Sequence, residues 1–279
     1  MNTKRFTYVP KHIRQLIFNP WLYGTPYLPT LSKKTRKTRS DKGTWHMTER
    51  DRRLLQWIGE QYVMRFDHLQ HLLGKTPQGV DKTQRILSED ATRRVISNWK
   101  KKGFVTYRKV FQEQPGYVWL TRAGLHAVGL DVRYAVPSPA LLDHYHAINT
   151  IRLYLCMREP EGVWESERLI RSRLQQSRKG QKQPHTPDAW FFLPNDTKVI
   201  GIEVEMHPKK KSQLYEIHGS FGGMLMLADE IWYFGTHAAR IALSNAVKDT
   251  AMNTSRGKFR FELYSPNISY NRSYPPPFL

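Results

Sequence analysis

The chain of 279 residues contains a single cysteine, Cys156. One thiol closes no intramolecular disulfide and builds no Cys-rich zinc cluster, which fits a reducing cytoplasm and a fold held by burial. Acidic residues are scarce as well: 24 Asp and Glu stand against 44 Lys and Arg, a formal charge of +20. That imbalance argues against a neutral metabolic enzyme and for a polyanionic partner. Long apolar runs are also missing. The longest nearly apolar stretch, Gly222 to Ala228, stops at Asp229-Glu230, far short of the roughly 20 residues a bilayer crossing needs. The N-terminus lacks the short apolar core of a secretory signal. The expectation is a cytoplasmic protein with no membrane contact.

What is present is unevenly spread. Residues 1–44 carry 10 basic and 1 acidic side chains (+9), residues 45–135 carry 16 and 9 (+7), and residues 136–279 carry 18 and 14 (+4). The first half therefore meets the polyanion, and nucleic acid is the simplest one; the second half keeps its carboxylates for another task. Residues 1–44 read as an extended basic arm, because Pro10, Pro20, Pro26 and Pro29 interrupt any helix. The run Lys33, Lys34, Arg36, Lys37 and Arg39 supplies its phosphate contacts.

Residues 45–135 predict a winged helix-turn-helix. Thr48 with Asp51 three positions on is an N-cap signal, and Leu54, Leu55, Ile58 and Tyr62 follow at helical spacing. A second helix runs from about Phe66 to Leu73 and stops at Gly74, before a long loop from Lys75 to Leu87. Ser88 caps a third helix with Val95, Ile96 and Trp99 on its apolar face, closed by Gly103. Two short β-rich runs, 104–111 and 117–120, flank the turn signal Pro115-Gly116, and a further helix ends at Gly129. In this order the third helix is the one that enters a DNA major groove. Arg93 and Arg94 then reach base edges, while Lys100, Lys101 and Lys102 touch phosphates. A symmetric site on double-stranded DNA would call for a homodimer, although no heptads supply one.

Residues 136–265 predict a helix over 140–157, strands over 163–170, 187–193 and 198–206, a helix over 209–227, a strand over 230–234, a helix over 237–250 and a last strand over 258–264. His144 and His146 lie two apart on the first helix, on nearly opposite sides, and make a poor pair for one metal. The order α-β-β-β-α-β brings Pro187-Asp188 at the start of one strand beside Glu203-Val204-Glu205 at the end of the next, 15 positions later. Two acids at neighbouring strand ends can share a hard divalent ion, which acidifies a bound water and neutralises a phosphate.

That order and those acids resemble the PD-(D/E)xK nuclease superfamily. The resemblance implies a mixed central sheet, Mg2+ or Mn2+ as cofactor, and Asp188, Glu203 and Glu205 as catalytic and metal-binding residues. An additional acid from the preceding element would be Glu165 or Glu167, and His185 is a further participant. The usual motif ends in lysine where this chain has Glu205; some restriction endonucleases of the superfamily tolerate Glu-x-Glu, and others take the lysine from the next helix, where Lys209, Lys210 and Lys211 stand. The whole arrangement over roughly residues 46–235 resembles the replication-relaxation family of plasmids and mobile genetic elements. It implies a magnesium-dependent endonuclease-like protein of replication, mobilisation or transposition, with replication, relaxosome or transposition proteins as partners. The alternative is a DNA-binding initiator, relaxosome accessory factor or transcriptional regulator without catalysis. Residues 266–279, with three consecutive prolines, read as a tail.

Overall fold

The computed structural model describes residues 46–74, 86–177, 185–194, 198–225, 227–249 and 258–264. The basic arm with Lys33, Lys34, Arg36, Lys37 and Arg39, and the tail 266–279, lie outside the described residues, as do residues 75–85 of the long loop. Among the described residues the fold is mixed, with eight α-helices, a three-stranded sheet and a five-stranded sheet, and no helix is long and apolar enough to cross a membrane.

Helix α1 (Glu49–Glu60) starts on the expected capping box: Thr48 Oγ1 accepts the Asp51 amide at 3.1 Å and the Asp51 carboxylate accepts the Thr48 amide at 3.0 Å. The helix ends at Glu60, short of the apolar spacing, because Tyr62 adopts a left-handed φ of 64° that turns the chain into the strand β1 (Met64–Arg65). Helix α2 (Phe66–Gly74) follows directly, and residue 87 returns to it through the Leu87 amide, 3.2 Å from the Gln70 carbonyl. Helix α3 (Glu89–Lys101) is capped by Ser88 and buries Ile96 and Trp99. Gly103, at φ +73°, then reverses the chain, a conformation glycine adopts without strain.

Strands β2 (Val105–Arg108) and β3 (Tyr117–Leu120) form an antiparallel hairpin, and β1 adds to the far side of β3 in the order β1-β3-β2. A short helix α4 (Arg122–Ala127) completes this region. The Trp99 indole donates to Asp51 Oδ1 at 3.1 Å, so one buried carboxylate both caps α1 and anchors the core of α3.

Helix α5 (Leu142–Arg158) opens the second region and is followed by β4 (Val163–Ser166). Here the expected strand over 163–170 is corrected: the strand stops at Ser166 and helix α6 (Glu167–Ser177) begins at once. Glu167 and Arg171 pair at 2.7 Å across one helical turn, and Ile170 turns into the core, which a continuing strand would not allow. The expected order α-β-β-β-α-β is thereby interrupted by a helix after its first strand. Strands β5 (Ala189–Phe192) and β6 (Val199–Glu205) follow, then α7 (Lys211–Met224), β7 (Glu230–Gly235), α8 (His237–Asp249) and β8 (Phe259–Leu263).

The five strands stand in chain order, antiparallel from β4 to β6 and parallel from β6 to β8. One face packs on α5, with Ile148, Ile151 and Leu155 against Phe191, Ile200, Ile202 and Val204. The other face carries Trp190, Ile231 and Tyr233 under Leu214 of α7 and Leu243 of α8. Side chains alternate between faces along each strand, so Gly201, Glu203 and Glu205 share the second face with Trp190 and Tyr233.

The described residues from Met47 onward belong to one compact unit. A polar seam joins the two regions. Arg152 of α5 reaches Glu60 of α1 at 2.6 Å and lies over the Trp57 ring at 3.9 Å. The Trp57 indole donates to Asn149, whose amide donates to the Val63 carbonyl at 2.9 Å. Arg168 of α6 donates to the Gly59 and Arg133 carbonyls.

Candidate functional site

The paired register Ala189 with Ile202 continues outward to place Asp188 opposite Glu203, at the edge where β6 ends and its parallel neighbour β7 also points. Open α/β sheets place ligands at that carboxyl edge. Asp188 is fixed on both oxygens: Oδ2 accepts the Val204 amide at 2.7 Å, and Oδ1 is bonded to His144 Nε2 at 3.1 Å. Glu203 Oε1 is bonded to His185 Nε2 at 2.7 Å. Glu205 is paired with the Lys209 ammonium. The side chains of Asp188, Glu203 and Glu205 are 12%, 10% and 10% exposed, while His144, His185 and Lys209 are 30%, 33% and 37% exposed. The carboxylates therefore form the floor of the site and the basic groups its more exposed rim.

The electrostatics follow from this layering. Burial pushes the Glu203 carboxyl up to about 7; the His185 hydrogen bond opposes that rise and the Asp188 charge adds to it. The His185 imidazole is raised by its bond to Glu203 against the cost of burial. Burial also opposes charge on His144, but the bond to Asp188 and the fields of Glu167 and Glu203 outweigh it. Lys209 is lowered by burial, partly offset by attraction to Glu203 and Asp188. Tyr233, opposite Glu203 on β7, is held neutral by burial and by the same two carboxylates.

The other expected residues are distributed differently. Glu165 shares the sheet face, and its carboxylate is paired with Arg173 at 3.1 Å. Glu167 also lies beside Asp188, its amide donating to the Asp188 carbonyl at 2.8 Å; its carboxyl, paired with Arg171 at 2.7 Å, is raised by burial and by the Asp188 charge against the pull of Arg171. Of the three candidate lysines, Lys209 and Lys210 precede α7: Lys209 is paired with Glu205, Lys210 is exposed, and Lys211, the first residue of the helix, lies over the Tyr215 ring at 5.6 Å. Arg93, Arg94, Lys100 and Lys101 of α3 and Lys102, its C-cap, are all exposed. Arg93 is engaged by Glu89 and lies over the Phe66 ring at 5.3 Å, whereas Arg94 touches its own helix through a 3.3 Å bond to the Asp90 carbonyl. Of the cations near the N-terminal end of α3, Arg94 is thus the one not held by a carboxylate among the described residues.

His144 and His146 diverge as their spacing requires, one toward Asp188 and the other toward α2, where its ring stacks on His68 with centroids 4.4 Å apart. Two features escape a reading of the sequence: Tyr233, hidden in an apolar strand, and the grouping of Asp67, His68 and His146. Donor atoms of these three lie within 4.8 Å of one another, the one such trio among the described residues. The Asp-His dipeptide at the start of α2 is its only local signal. Comparison with protein families, curated proteins and solved structures finds no match. The site's own geometry therefore carries its functional reading.

Proposed function

We propose that this chain is a double-stranded DNA-binding protein of a mobile genetic element, in which a winged helix-turn-helix holds DNA and a PD-(D/E)xK-like domain hydrolyses a phosphodiester with Mg2+ or Mn2+. The spacing of Pro187-Asp188 and Glu203-Val204-Glu205 resembles that of the replication-relaxation family, which would imply a role in cytoplasmic plasmid replication, mobilisation or transposition. The observation that carries the catalytic part is the pairing of Asp188 with Glu203. Burial, with the charge of the neighbouring Asp188 adding to it, holds Glu203 near 7, and a divalent cation bound between the two acids would relieve that penalty. The donor set is carboxylate oxygen, which suits hard cations.

In this reading Asp188 and Glu203 hold the ion. A bound cation supplies an acidified water and charge neutralisation at the scissile phosphate. Glu205 positions Lys209, whose ammonium faces the charge that builds on the phosphate oxygens. His144 and His185 fix the rotamers of the two ligating acids, a role outer partners commonly play. The exposed cations of α3 supply the grip on DNA. Cleavage of plasmid DNA with Mg2+ or Mn2+ is expected from the wild type and is lost in Asp188→Ala. Cleavage that persists in the variant sinks the assignment.

A second reading, a non-catalytic initiator, accessory factor or regulator, is favoured by a specific observation: Asp188, Glu203 and Glu205 each already have a basic partner. A thermal-shift titration with Mn2+ separates the two. A saturable rise that disappears in Asp188→Ala supports the catalytic reading; a flat response supports the second.

A further inference from the structure

We propose that Asp67, His68 and His146 form a separate binding site for a divalent transition-metal ion of the zinc class, which clamps the DNA-binding region to the five-stranded domain.

The three residues come from the two regions that the ion would join: Asp67 and His68 from the first turn of α2, and His146 from α5. His146 is 7% exposed and His68 1%. Both ring nitrogens of His146 are buried with no hydrogen-bond partner among the described residues. Burying polar nitrogens without a partner costs on the order of 1–3 kcal/mol each, and native structures rarely carry that cost without an ion, a water or a functional reason.

A second observation concerns His68. Thr150 Oγ1 donates its only proton to the His146 carbonyl at 2.9 Å, so at 3.0 Å it can only accept from His68 Nε2. The proton of a neutral His68 is thereby placed on Nε2, and the lone pair on Nδ1. Metal-bound imidazoles are usually prepared in this way, with the far N–H donated to a fixed acceptor. Asp67 is likewise oriented: Arg65 donates to Oδ1 at 2.8 Å and to Oδ2 at 2.6 Å, and each carboxylate oxygen keeps a further lone pair.

Two imidazoles and a carboxylate select a borderline transition metal over Mg2+ or Ca2+. Four-coordinate zinc holds its ligands about 2.1 Å away and hence about 3.4 Å apart, so donors already within 4.8 Å need only a modest closure. Nearly parallel rings, at an interplanar angle of 22°, direct their lone pairs side by side, so binding swings His68 and His146 off their stack toward a common point. With both histidines enclosed, the ion enters from the Asp67 side, whose side chain is 35% exposed, and its role is structural.

The test uses the full chain in an Asp188→Ala background, stripped with EDTA, which removes one of the two acids proposed to hold the catalytic ion, and the Asp67 and His146 variants separate the two sites. Zn2+ alone is expected to bind at one equivalent and to raise the melting temperature by several degrees. Co2+ in its place is expected to give the d–d absorption of a low-coordinate nitrogen and oxygen site. His146→Gln and Asp67→Asn abolish both signals, and Thr150→Val weakens Zn2+ about 10–100-fold. Asp67→Asn leaves the buried rings in place, so it reports on ligation even if His146→Gln fails to fold. Absence of saturable Zn2+ binding in the background protein, or binding unchanged in Asp67→Asn, overturns the proposal.

Discussion

At the scale of single residues, the behaviour of Glu203 follows from where its proton goes. The carboxyl is held near 7 in the folded chain against an ordinary 4.5. Between those values the folded state keeps a proton that the unfolded state has released, so stability without a cation falls as pH rises through this window. Glu203→Gln removes the penalty and keeps a partner for His185. Thermal denaturation in EDTA is expected to show the variant melting several degrees above wild type at pH 8 and close to it near pH 4.5. The same variant is expected to lose Mn2+-dependent stabilisation, a trade of stability for function common at charged sites. Asp188 and Glu203 were legible in the sequence because both lie at strand ends with apolar neighbours on schedule. Their partners were less so: His144 meets Asp188 across 44 residues and His185 meets Glu203 across 18, and no local spacing encodes such encounters.

At the scale of elements, caps and glycines carried most of the information. Thr48, Ser88, Thr121, Gly103 and Gly129 mark the ends of α1, α3 and α4 where local chemistry requires them. Helix α6 was hidden because Val163-Trp164-Glu165-Ser166 alternates as a strand and runs into Glu167 with no breaker between. Asp51 shows how one side chain ties two elements: Asp51→Ala removes a cap worth about 1 kcal/mol and strands the buried Trp99 N–H at a further cost of about 1–3 kcal/mol. Urea denaturation is expected to show a loss of about 2–4 kcal/mol. Helix α3 makes a different prediction. Replacing Arg94, Lys100 and Lys101 by alanine should weaken DNA binding and lower the slope of log K against log salt by about 0.9 for each phosphate that is no longer neutralised. A slope that stays unchanged in filter-binding or anisotropy titrations would move the DNA to another face.

At the scale of the whole described unit, the seam between the two regions is the dominant feature, and residue patterning holds no sign of it, because Glu60, Arg152 and Arg168 read as ordinary solvated charges. Glu60 and Arg152 are instead 8% and 9% exposed at the side chain. Removing one partner of such a buried pair typically costs about 3–5 kcal/mol; Arg152→Ala, which also uncovers Trp57, should fall in that range by chemical denaturation. The seam also sets a length. A protein that grips DNA with one region and acts with another through a loose tether cuts over a spread of positions. Here α3 and the Asp188 edge belong to one packed unit, so the separation between them is a built-in ruler. Cleavage should fall at a constant number of base pairs from the bound site, and inserting two glycines at Val136, in the connection that precedes α5, should leave that offset unchanged.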